Sequence, residues 1–557
     1  MNLEKSTILL AIEKKIKNKT GFDRLRQSVS SAFRVSQPSN QSILKEYRAL
    51  LKNKKIGANP ELEKILKTRE VRTLSGVAII TVLTKPFPCP GACIYCPTDA
   101  RMPKSYLPKE PAAARALMLK FNPYEQVKQR ILALENNGHD TEKIELIVKG
   151  GTWSAYPQKY QNWFIKRCFE AANSITPPTP SYLKRGNKTI TPPLKVRGGW
   201  EGLCQAQKIN ETAKHRIVGL TLETRPDFVT PEEIKHLRAL GCTRIELGAQ
   251  TIDDKILKLV RRGHTAKDTA NATALLRDAG FKVDYHLMPA LPGVSQKNDL
   301  ENFKEIFKNP AYRPDMIKIY PCSVIPKTIL YKWWKEKKYK PMATKTLADL
   351  IIKMKLATPR YVRISRVIRD IPADDISAGN KVTNLRQYIA EEMKKRGLVC
   401  KCIRCREIGH QKFQISNFKF QIFIKKYKAA NGTECFLSIE NPKRNALFAF
   451  CRLRLPQKQK NMNTKIVQLL PELQGAALIR ELHTYGHLVP VNTKLSGASQ
   501  HTGFGKKLMQ EAEAIAKKAG YKKMAVIAGI GVREYYKKLG YGLKGTYVVK
   551  NMQEDEK

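Results

Sequence analysis

The middle of the chain alternates short apolar runs with longer segments in which apolar residues recur at helical spacing. The apolar runs, which are typical of strands, lie at residues 76–83, 144–148, 218–221, 244–247, 282–287 and 316–320. The helical segments between them include residues 122–136, 160–172, 231–240 and 266–279. This alternation predicts an α/β fold with a parallel sheet, curled into a barrel or part of a barrel. In such folds, ligands bind at the carboxyl ends of the strands.

Polar motifs follow four of the predicted strands. They are Gly150-Gly151-Thr152, Glu223-Thr224-Arg225-Pro226-Asp227, Glu246-Leu247-Gly248-Ala249-Gln250 and His286-Leu287-Met288-Pro289. Because the carboxyl ends of parallel strands share one rim of the sheet, we expect these motifs to surround a common site.

Two stretches lack the periodicity of the sequence around them. Residues 175–207 are rich in proline and glycine, and we expect an inserted, disordered surface loop there. Cys204 falls in this stretch and is not expected to bind a metal. Residues 411–428 contain Phe-Gln-Ile twice, and we expect a second inserted surface loop.

From about residue 430 a compact α/β segment follows, with a glycine motif at a predicted helix start. The motif is Gln500-His501-Thr502-Gly503-Phe504-Gly505-Lys506. Glycines let a diphosphate approach the backbone, and the positive end of the helix favours its charge. A glycine pair is weak support alone, but here a predicted strand at 478–483 precedes it. A strand at 524–528 and the segment 531–541 follow, which is the acetyl-CoA-binding order of GNAT acetyltransferases.

Length and composition limit the class of protein. The chain has 557 residues and 42% hydrophobic residues, so two or three domains are expected. No run approaches eighteen apolar residues, and the N-terminus lacks the pattern of a secretory signal. Twelve cysteines, several in tight clusters, indicate metal sites in a reducing compartment. We therefore predict a soluble cytoplasmic enzyme without a membrane partner.

The charge balance predicts a polyanionic partner. Lysine and arginine number 101 against 49 acidic residues, which gives a net charge of +52. A basic surface without such a partner is the alternative. Near the N-terminus, an apolar helical face formed by Ile8, Leu9, Ile12 and Ile16 lies beside basic clusters. These clusters comprise Lys14, Lys15, Lys17, Lys19, Lys52, Lys54 and Lys55. We predict a basic helical region that binds nucleic acid, and charge alone does not separate RNA from DNA.

Three cysteines lie close together after the first predicted strand. Cys89, Cys93 and Cys96 have C-x3-C-x2-C spacing. Three cysteines leave one iron of a four-iron cluster open, and S-adenosylmethionine can chelate that iron and be cleaved to a deoxyadenosyl radical. The alternatives are a disulfide pair with a spare thiol, and part of a zinc site. A structural zinc normally needs four protein ligands, and no histidine follows Cys96 within forty residues, so we favour the cluster.

A second cysteine group, Cys400, Cys402 and Cys405, predicts another metal site. Zinc is the metal that we expect, with His410 or an acidic residue as the fourth ligand. A structural role between domains is favoured over a catalytic one. Reduced thiols on a basic loop are the alternative.

These features together resemble one family: the catalytic third subunit of Elongator and its single-chain bacterial and archaeal relatives, which are tRNA wobble-uridine acetyltransferases. The resemblance runs from about Ser75 to the C-terminus, apart from the two insertions. It rests on Ser75-Gly76-Val77, Tyr95-Cys96-Pro97, Gly150-Gly151-Thr152, Glu223-Thr224-Arg225-Pro226-Asp227, Arg262-Gly263-His264-Thr265, Arg369-Asp370-Ile371-Pro372, Glu481-Leu482-His483 and Gly529-Ile530-Gly531-Val532-Arg533-Glu534-Tyr535-Tyr536. Lys149 and Ala290 depart from the family pattern, which usually has a hydrophobic residue and Gly or Asp at these positions.

The resemblance implies four regions. They are a basic helical tRNA-binding region at 1–74, a partial radical-SAM barrel at 75–370, a linker with the second cysteine group at 371–428, and a GNAT acetyltransferase domain at 429–557. The implied product is 5-carboxymethyluridine on tRNA. In that chemistry, a deoxyadenosyl radical takes hydrogen from the acetyl methyl of acetyl-CoA, the carbon radical adds to carbon 5 of the wobble uracil, and the thioester is hydrolysed. A single-chain prokaryotic form would not need other Elongator subunits, and homodimer formation stays open.

The resemblance also implies residue roles. Cys89, Cys93 and Cys96 would hold the 4Fe-4S cluster. Contacts to S-adenosylmethionine or the acetyl group would come from Gly150, Gly151, Thr152, Glu223, Arg225 and Gln250. Contacts to acetyl-CoA would come from Lys143, Glu481, Leu482, His483, Thr484, Phe504, Gly505, Lys506 and Tyr536. The expected catalytic residues are Glu223, Tyr535 and Tyr536, with structural salt bridges and a core tyrosine pair as the alternatives.

Two other functions compete with tRNA modification. One is a protein lysine acetyltransferase with a structural iron–sulfur cluster, but a strongly cationic chain would repel a lysine-rich substrate. The other is a non-catalytic scaffold that binds tRNA. The presence of both the cysteine motif and the acetyltransferase motif favours the modifying enzyme over each of them.

Overall fold

A computed structural model gives the architecture of the protein. It describes residues 2–68, 73, 75–175, 199–410, 419–457, 464–485 and 503–552. These residues form an N-terminal helical bundle, a parallel sheet with flanking helices, and a second sheet of mixed direction. Within these ranges, every helix is too short or too polar to pass through a bilayer.

Four helices at the N-terminus form a bundle with its own core. They are α1 (Leu3–Glu13), α2 (Lys19–Ala32), α3 (Asn40–Lys52) and α4 (Pro60–Leu66). Each helix follows an asparagine or serine whose side chain accepts a hydrogen bond from a first-turn N–H. Ile8, Phe22, Ile43 and Leu66 are buried in this core. Leu9 was expected on the same apolar face, but it is 43% exposed.

The lysine clusters of this bundle lie on its outside. All seven side chains are exposed, namely Lys14, Lys15, Lys17, Lys19, Lys52, Lys54 and Lys55. The bundle is attached to the following region by two hydrogen bonds. Arg48 Nη1 donates to the carbonyl of Glu135 at 2.8 Å, and Gln41 Nε2 donates to Asn137 Oδ1 at 3.0 Å. A basic surface is thereby held against the rest of the protein.

Seven parallel strands form the first sheet, in sequential order. They are β1 (Ala78–Leu83), β2 (Lys143–Lys149), β3 (Arg216–Thr224), β4 (Arg244–Gln250), β5 (Lys282–Leu287), β6 (Met316–Ile319) and β7 (Arg363–Arg366). In the described chain, β1 and β7 are unpaired edges, so the sheet is the partial barrel that the sequence predicts. The apolar pattern does not predict β7, because only Ile364 of its four residues is buried.

Helices connect the strands and cover the outside of the partial barrel. They are α5 (Pro111–Met118), α6 (Pro123–Asn136), α7 (Gln158–Ser174), α8 (Gly199–Asn210), α9 (Pro231–Ala239), α10 (Asp254–Leu259), α11 (Ala266–Asp278), α12 (Gln296–Lys308), α13 (Ile329–Lys335), α14 (Thr344–Ala357), α15 (Leu385–Lys395) and α16 (Ile403–Arg406). One continuous core of buried apolar residues joins most of these helices to the strands, whereas α5, α10 and α13 pack in two smaller clusters.

The second sheet is mixed and lies in the C-terminal part. Its order is β13-β14-β12-β11-β10-β9-β8, and only β11 and β12 pair in parallel. The strands are β8 (Gln421–Ala429), β9 (Gly432–Glu440), β10 (Leu447–Pro456), β11 (Ala476–Thr484), β12 (Lys523–Val526), β13 (Gly542–Lys544) and β14 (Tyr547–Asn551). The accompanying helices are α17 (Thr464–Leu469), α18 (Phe504–Lys518) and α19 (Arg533–Lys537). This sheet confirms the predicted mixed α/β domain.

Two segments differ from the expected insertions. Residues 199–207 lie in helix α8 rather than in a loop, because Leu203, Ala206 and Asn210 form a buried face at helical spacing. Cys204 is exposed on this helix. Residues 421–428 form edge strand β8, which pairs with β9 along its whole length. The apolar pattern of the sequence does not predict β8, because most of its side chains are exposed or half-buried. Residues 176–198 and 411–418 lie outside the described ranges.

A buried network of ion pairs joins the two sheets. Asp315, just before β6, lies 2.6 Å from Arg480 and 3.4 Å from Arg452 of the second sheet. Glu434 of β9 lies 2.8 Å from Arg480 and 3.0 Å from Arg277 of α11. Burial alone would raise the pKa of Asp315, but the surrounding guanidinium groups outweigh it and hold the pKa far below its ordinary value. The network therefore fixes how the two sheets are placed relative to each other.

Main chain packs directly on main chain at a second contact between the sheets. Gly529 and Gly531, in the motif after β12, lie against the start of β3. A Cβ at Gly529 would collide with the carbonyl oxygen of Val218, and one at Gly531 would lie 2.6 Å from Cβ of Arg216. Only glycine fits at these two positions, which explains their place in the motif.

Candidate functional site

A cavity of about 1250 Å³ is lined by both sheets. From the first sheet it takes the inward-facing residues of the strands, and from the second sheet it takes β11 and the region of α18 and α19. Strand β2 shows how the sequence produces this wall. Lys143, Glu145, Ile147 and Lys149 line the cavity, while the alternate residues are buried in the core on the other face.

Five ionisable side chains form one network inside the partial barrel. Lys149 pairs with Glu223 at 2.9 Å and also contacts Glu246. His286 joins the two carboxylates, through Nδ1 to Glu223 at 3.2 Å and through Nε2 to Glu246 at 3.0 Å. Lys318 lies 2.5 Å from Glu246. The predicted catalytic residue Glu223 thus lines the cavity near the carboxyl end of β3, next to the unusual Lys149.

The ionisation of this network follows from burial and charge. Burial favours the neutral form of Glu223, but Lys149 and His286 outweigh it, so the pKa of Glu223 is well below its ordinary value. Burial lowers the pKa of Lys318 to about 8, against the opposing effect of Glu246. The network therefore supplies a carboxylate at neutral pH and an ammonium group close to its titration point.

Sequence reasoning missed three members of this network as site residues. Glu246 and His286 lie in motifs that we expected near the site, but neither was assigned a role. Lys318 was not identified at all. Lys318 could have been found because it is a charged residue in a short apolar strand. A buried cation in such a strand needs a carboxylate as its partner.

The cysteine loop, residues 88–97, follows the carboxyl end of β1. A Cβ at Gly91 would lie 3.7 Å from Sγ of Cys89 and 3.6 Å from Sγ of Cys93, so these two thiols flank one glycine. Cys96 lines the large cavity. Burial, with Cys93 beside it, raises the pKa of the Cys96 thiol to about 11. All three cysteines are free thiols on one loop, and the residue flanked by two of them, Gly91, has no side chain. This arrangement fits the binding of an iron–sulfur cluster.

Two arginines lie against the cysteine loop. Arg262, from the Arg262-Gly263-His264-Thr265 motif, donates from Nη1 to Sγ of Cys93 at 3.5 Å and from Nη2 to the carbonyl of Gly248 at 2.7 Å. Arg225 is held by a bidentate pair with Asp227 at 2.9 and 2.8 Å. Its Nη1 is buried and has no hydrogen-bond partner among the described residues. The free Nη1 therefore suits an anionic group bound at this loop.

The other residues expected around S-adenosylmethionine lie at the same rim. Thr152 approaches the loop, with Oγ1 3.7 Å from Sγ of Cys89. Gly150 lies against Thr84, which a Cβ at this position would strike. Gln250 ends β4 with a φ of 68° and lines the cavity, while Gly151 is the second residue after β2. The structure thus gathers these residues around the cysteine loop.

The expected acetyl-CoA residues are mostly in the second sheet's part of the cavity. The cavity wall includes Lys143, Glu481, Leu482, His483, Thr484, Gly505, Lys506, Tyr535 and Tyr536. Phe504 differs, because its ring packs in the core with centroids 5.0 Å from Phe420 and 6.4 Å from Phe448. Only the backbone of Phe504 could bind a diphosphate. Gln500, His501 and Thr502 lie outside the described residues.

Tyr535 and Tyr536 belong to helix α19, and Tyr535 lies against the start of helix α18. A Cβ at Gly505 would lie 2.7 Å from the hydroxyl of Tyr535, and the two tyrosine rings meet edge to face at 5.2 Å. Burial raises the pKa of Tyr535 to about 12 and that of Tyr536 further. Both phenols are therefore protonated at neutral pH and can donate hydrogen bonds.

Two other cavity residues of β11 have structural partners. Glu481 pairs with Arg452 at 2.8 Å, and the pKa of its carboxyl is lowered despite burial by Lys282 and Arg452. His483 Nε2 lies 2.8 Å from the carbonyl of Ser75, and burial lowers its pKa. The first contact holds β11 to β10 within the second sheet, and the second contact joins β11 to the segment just before β1.

Cys400, Cys402 and Cys405 form a compact group beside α14, where Cys400 Sγ donates to the carbonyl of Lys355 at 3.5 Å. Their sulfur atoms all lie within 4.8 Å of one another, which is close to the sulfur–sulfur distance of about 3.8 Å in a tetrahedral zinc site. Hydrogen bonds among the three thiols lower the pKa of Cys402, whereas the pKa values of Cys400 and Cys405 are raised. The side chain of His410 lies outside the described residues, so its expected ligand role stays a prediction.

Comparison with known proteins identifies the relatives of this chain. Residues 88–306 match the Radical SAM superfamily, and residues 314–395 match the Radical_SAM C-terminal domain. The chain is 44% identical to the tRNA uridine(34) acetyltransferase of Methanocaldococcus jannaschii, over 93% of this chain and 91% of the relative. It is 36% identical to the Elongator complex protein 3 of Homo sapiens, over 89% of this chain and 88% of the relative.

A solved structure is similar over most of the chain. The archaeal Methanocaldococcus infernus Elp3 with an N-terminal deletion has a TM-score of 0.70 and 42% sequence identity. The match covers 86% of this chain and 100% of that one. The arrangement of a partial barrel against a mixed sheet is therefore shared with that protein.

Proposed function

The chain belongs to the family of tRNA uridine(34) acetyltransferases and Elongator complex protein 3, and on this basis we propose that it converts the wobble uridine of tRNA to 5-carboxymethyluridine. Acetyl-CoA would supply the two carbons, and S-adenosylmethionine would supply the radical. The observation that carries the proposal is the single cavity shared by the cysteine loop and by the acetyltransferase residues of β11 and α18. The predicted radical site and the predicted acetyl-CoA site, which must act on the same acetyl group, thus share one cavity.

The chain's own residues divide the work. Cys89, Cys93 and Cys96 would hold a 4Fe-4S cluster, which when bound supplies the electron that cleaves S-adenosylmethionine. Arg225, through its free Nη1, would bind the carboxylate of S-adenosylmethionine. The backbone N–H groups of α18 and the ammonium of Lys506 would bind the diphosphate of acetyl-CoA. The phenols of Tyr535 and Tyr536 would donate hydrogen bonds near the thioester.

Lys143 and Glu223 would act between the cysteine loop and the acetyl-CoA residues of the C-terminal part. Lys143 lines the cavity at the start of β2, and burial together with the nearby Arg216 lowers the pKa of its ammonium group. It would therefore contact the acetyl-CoA arm. Glu223 is a carboxylate at neutral pH. It would accept the proton that carbon 5 releases once the uridine adduct radical has lost one electron, which the cluster, oxidised when S-adenosylmethionine was cleaved, would take back.

Incubation of tRNA with the iron-loaded protein, both cofactors and a reductant tests the proposal. Mass spectrometry of the nucleosides should show 5-carboxymethyluridine, and omitting either cofactor should abolish it. Transfer of acetyl groups to peptide lysines in place of tRNA modification would instead support a lysine acetyltransferase. Binding of tRNA without either activity would support a scaffold.

The Glu223→Gln variant should lose product. We expect a fall of at least about 100-fold in carboxymethyluridine formation, because an amide cannot accept a proton. Glu534→Gln is the matched control, since Glu534 also lines the cavity but is 40% exposed and pairs with Lys537 at 2.5 Å. Nucleoside mass spectrometry over time measures both variants. Unchanged product formation in Glu223→Gln would exclude a catalytic role for this carboxylate.

Arg262→Gln should make the cluster harder to reduce. A positive charge about 6 Å away stabilises the added electron by roughly 3 kcal/mol at an effective dielectric constant of 20, which is on the order of 100 mV for one electron. Arg262→Lys keeps the charge and should shift the potential much less. Redox titration followed by electron paramagnetic resonance measures the potential directly. Equal potentials in wild type and Arg262→Gln would show that the hydrogen bond to Cys93 is not formed in the loaded protein.

The group of Cys400, Cys402 and Cys405 would bind one zinc ion that stabilises the contact between the sheets. Purified protein should contain about one zinc per chain, by elemental analysis. Cys402→Ala should lose this zinc, whereas Cys204→Ala, in an exposed cysteine of α8, should retain it. Iron in place of zinc at this group would contradict the assignment.

The exposed lysines of the N-terminal bundle support tRNA as the partner. They form a basic surface outside a rigid helical core, and the whole chain carries a net charge of +52. Each phosphate that such a surface neutralises releases counterions and strengthens binding. The bundle would therefore hold the body of the tRNA while the wobble base enters the cavity.

A further inference from the structure

The large cavity reaches both rims of the partial barrel. At one rim, five strands begin with a cation that lines the cavity, namely Lys143, Arg216, Arg244, Lys282 and Arg363. At the other rim, residues at or near the carboxyl ends of the strands line the same cavity, namely Lys149, Glu223, Gln250, His286 and Lys318. The cavity therefore passes through the interior of the sheet from the strand starts to the strand ends.

The acetyltransferase part packs against the rim where the strands start. Arg480 Nη1 donates to the carbonyl of Phe281, immediately before β5, at 2.7 Å. His483 contacts the carbonyl of Ser75, three residues before β1, and Gly531 lies on Arg216 at the start of β3. Helix α19, with Tyr535 and Tyr536, follows Gly531 directly. The expected thioester site is thus at the strand-start rim.

The cysteine loop lies at the opposite rim, because it follows the end of β1. Strand β3 connects the two rims from Arg216 to Glu223. At 3.3 Å per residue, these two residues are about 23 Å apart. Hydrogen abstraction needs van der Waals contact, so a radical formed at the cysteine loop cannot reach a thioester that stays at Tyr536.

We propose that the interior of the partial barrel is a passage for the acetyl-bearing arm of acetyl-CoA. The arm enters at the strand-start rim and extends through the barrel toward the cysteine loop. This inference rests on the proposed function and adds the path by which the two cofactors meet. The acetyl group then never leaves the protein between its two sites.

The charges at the entrance fit the phosphates of acetyl-CoA. Arg244 is held by Glu145 at 2.5 Å, and Arg363 is held by Glu407 at 2.5 Å and by the hydroxyl of Tyr485 at 2.9 Å. These guanidinium groups are therefore fixed around the opening. A ring of cations attracts the phosphates to the rim, while the flexible arm carries little charge and can pass inside.

Small side chains line the middle of the passage on the two edge strands. Thr81 lies in the centre of β1 and Ser365 lies in β7, and both line the cavity. Ser365 donates to Asp284 at 3.4 Å and is only partly buried. A phenylalanine at either position would fill the barrel between its two rims without touching the cysteine loop or α18.

The test uses the full-length, iron-loaded protein with Thr81→Phe and Ser365→Phe. Thr81→Val and Ser365→Ala are the matched controls, because they remove the hydroxyl without adding bulk. Three quantities are measured: cleavage of S-adenosylmethionine to 5′-deoxyadenosine in the absence of acetyl-CoA, binding of coenzyme A by calorimetry, and formation of carboxymethyluridine. Because coenzyme A lacks the acetyl group, its binding measures whether the phosphate-binding end of the acetyl-CoA site is intact.

Blocking the passage should lower product formation without changing the other two measured quantities. We expect both phenylalanine variants to cleave S-adenosylmethionine and bind coenzyme A within about threefold of wild type, while carboxymethyluridine falls at least tenfold. The Thr81→Val and Ser365→Ala controls should keep all three quantities at the wild-type level. Carboxymethyluridine within threefold of wild type in both phenylalanine variants would overturn the passage. If circular dichroism shows one variant unfolded, the other decides. Absence of product in wild type would instead refute the proposed function itself.

Discussion

Asp315→Ala is expected to lower the free energy of unfolding by about 3–5 kcal/mol, because it leaves buried guanidinium groups without their counter-charge. Asp315 is fully buried and lies 2.6 Å from Arg480, 3.4 Å from Arg452 and 3.5 Å from Arg277. One oxygen also accepts a hydrogen bond from the backbone N–H of Val283 at 3.0 Å. Urea unfolding followed by circular dichroism measures the loss.

Asp349→Ala is the control for this substitution. Asp349 pairs with Arg396 at 2.6 Å, but their side chains are 31% and 41% exposed, so its loss should cost less than about 1 kcal/mol. Similar losses for the two variants would show that the network does not join the sheets.

The pH dependence gives a second check on Asp315. Its pKa is lower in the folded protein than the ordinary 3.8, so its stabilising effect is complete above about pH 4. The effect is lost as the pH falls toward the folded value. The stability difference between wild type and Asp315→Ala should therefore shrink in acid.

Cys93→Ala is expected to abolish carboxymethyluridine formation. Two remaining thiols would not hold a four-iron cluster in the loop, so both the iron–sulfur absorption and the cleavage of S-adenosylmethionine should disappear. Cys93 is only partly buried, and the loop keeps its backbone bond from Ile94 to Val260 at 3.2 Å. The variant should therefore fold, and nucleoside mass spectrometry with visible absorption measures the effect.

Cys204→Ala serves as the matched control for Cys93→Ala. Cys204 is an exposed thiol on α8, so its removal should change neither absorption nor product. Carboxymethyluridine formed by Cys93→Ala at the wild-type rate would mean that the radical source lies elsewhere in the chain.

The sequence predicts those parts of the fold that depend on local pattern. Six of the seven strands of the first sheet appear as apolar runs, because the strand residues that face the surrounding helices are buried and apolar. The predicted run at 282–287 coincides with β5 (Lys282–Leu287). β7 and β8 are edge strands with few buried side chains, so the apolar pattern is absent there.

The contacts between the sheets have no local signal. Asp315 and Arg480 are separated by 165 positions, and each alone looks like an ordinary charged residue. The cysteine motif is different, because its three cysteines lie within eight residues and their spacing alone predicts the chemistry. This contrast explains why the cysteine loop was found from the sequence while Lys318 and His286 needed the structure.

Gly529 and Gly531 have a consequence for engineering this enzyme. Their backbone meets the backbone of β3, so no change of neighbouring side chains can make room for a larger residue. An acetyltransferase module taken from another protein could be grafted onto this barrel only if it brought two glycines at the same spacing. Shuffling of such modules between unrelated barrels is therefore restricted by main-chain geometry rather than by surface composition.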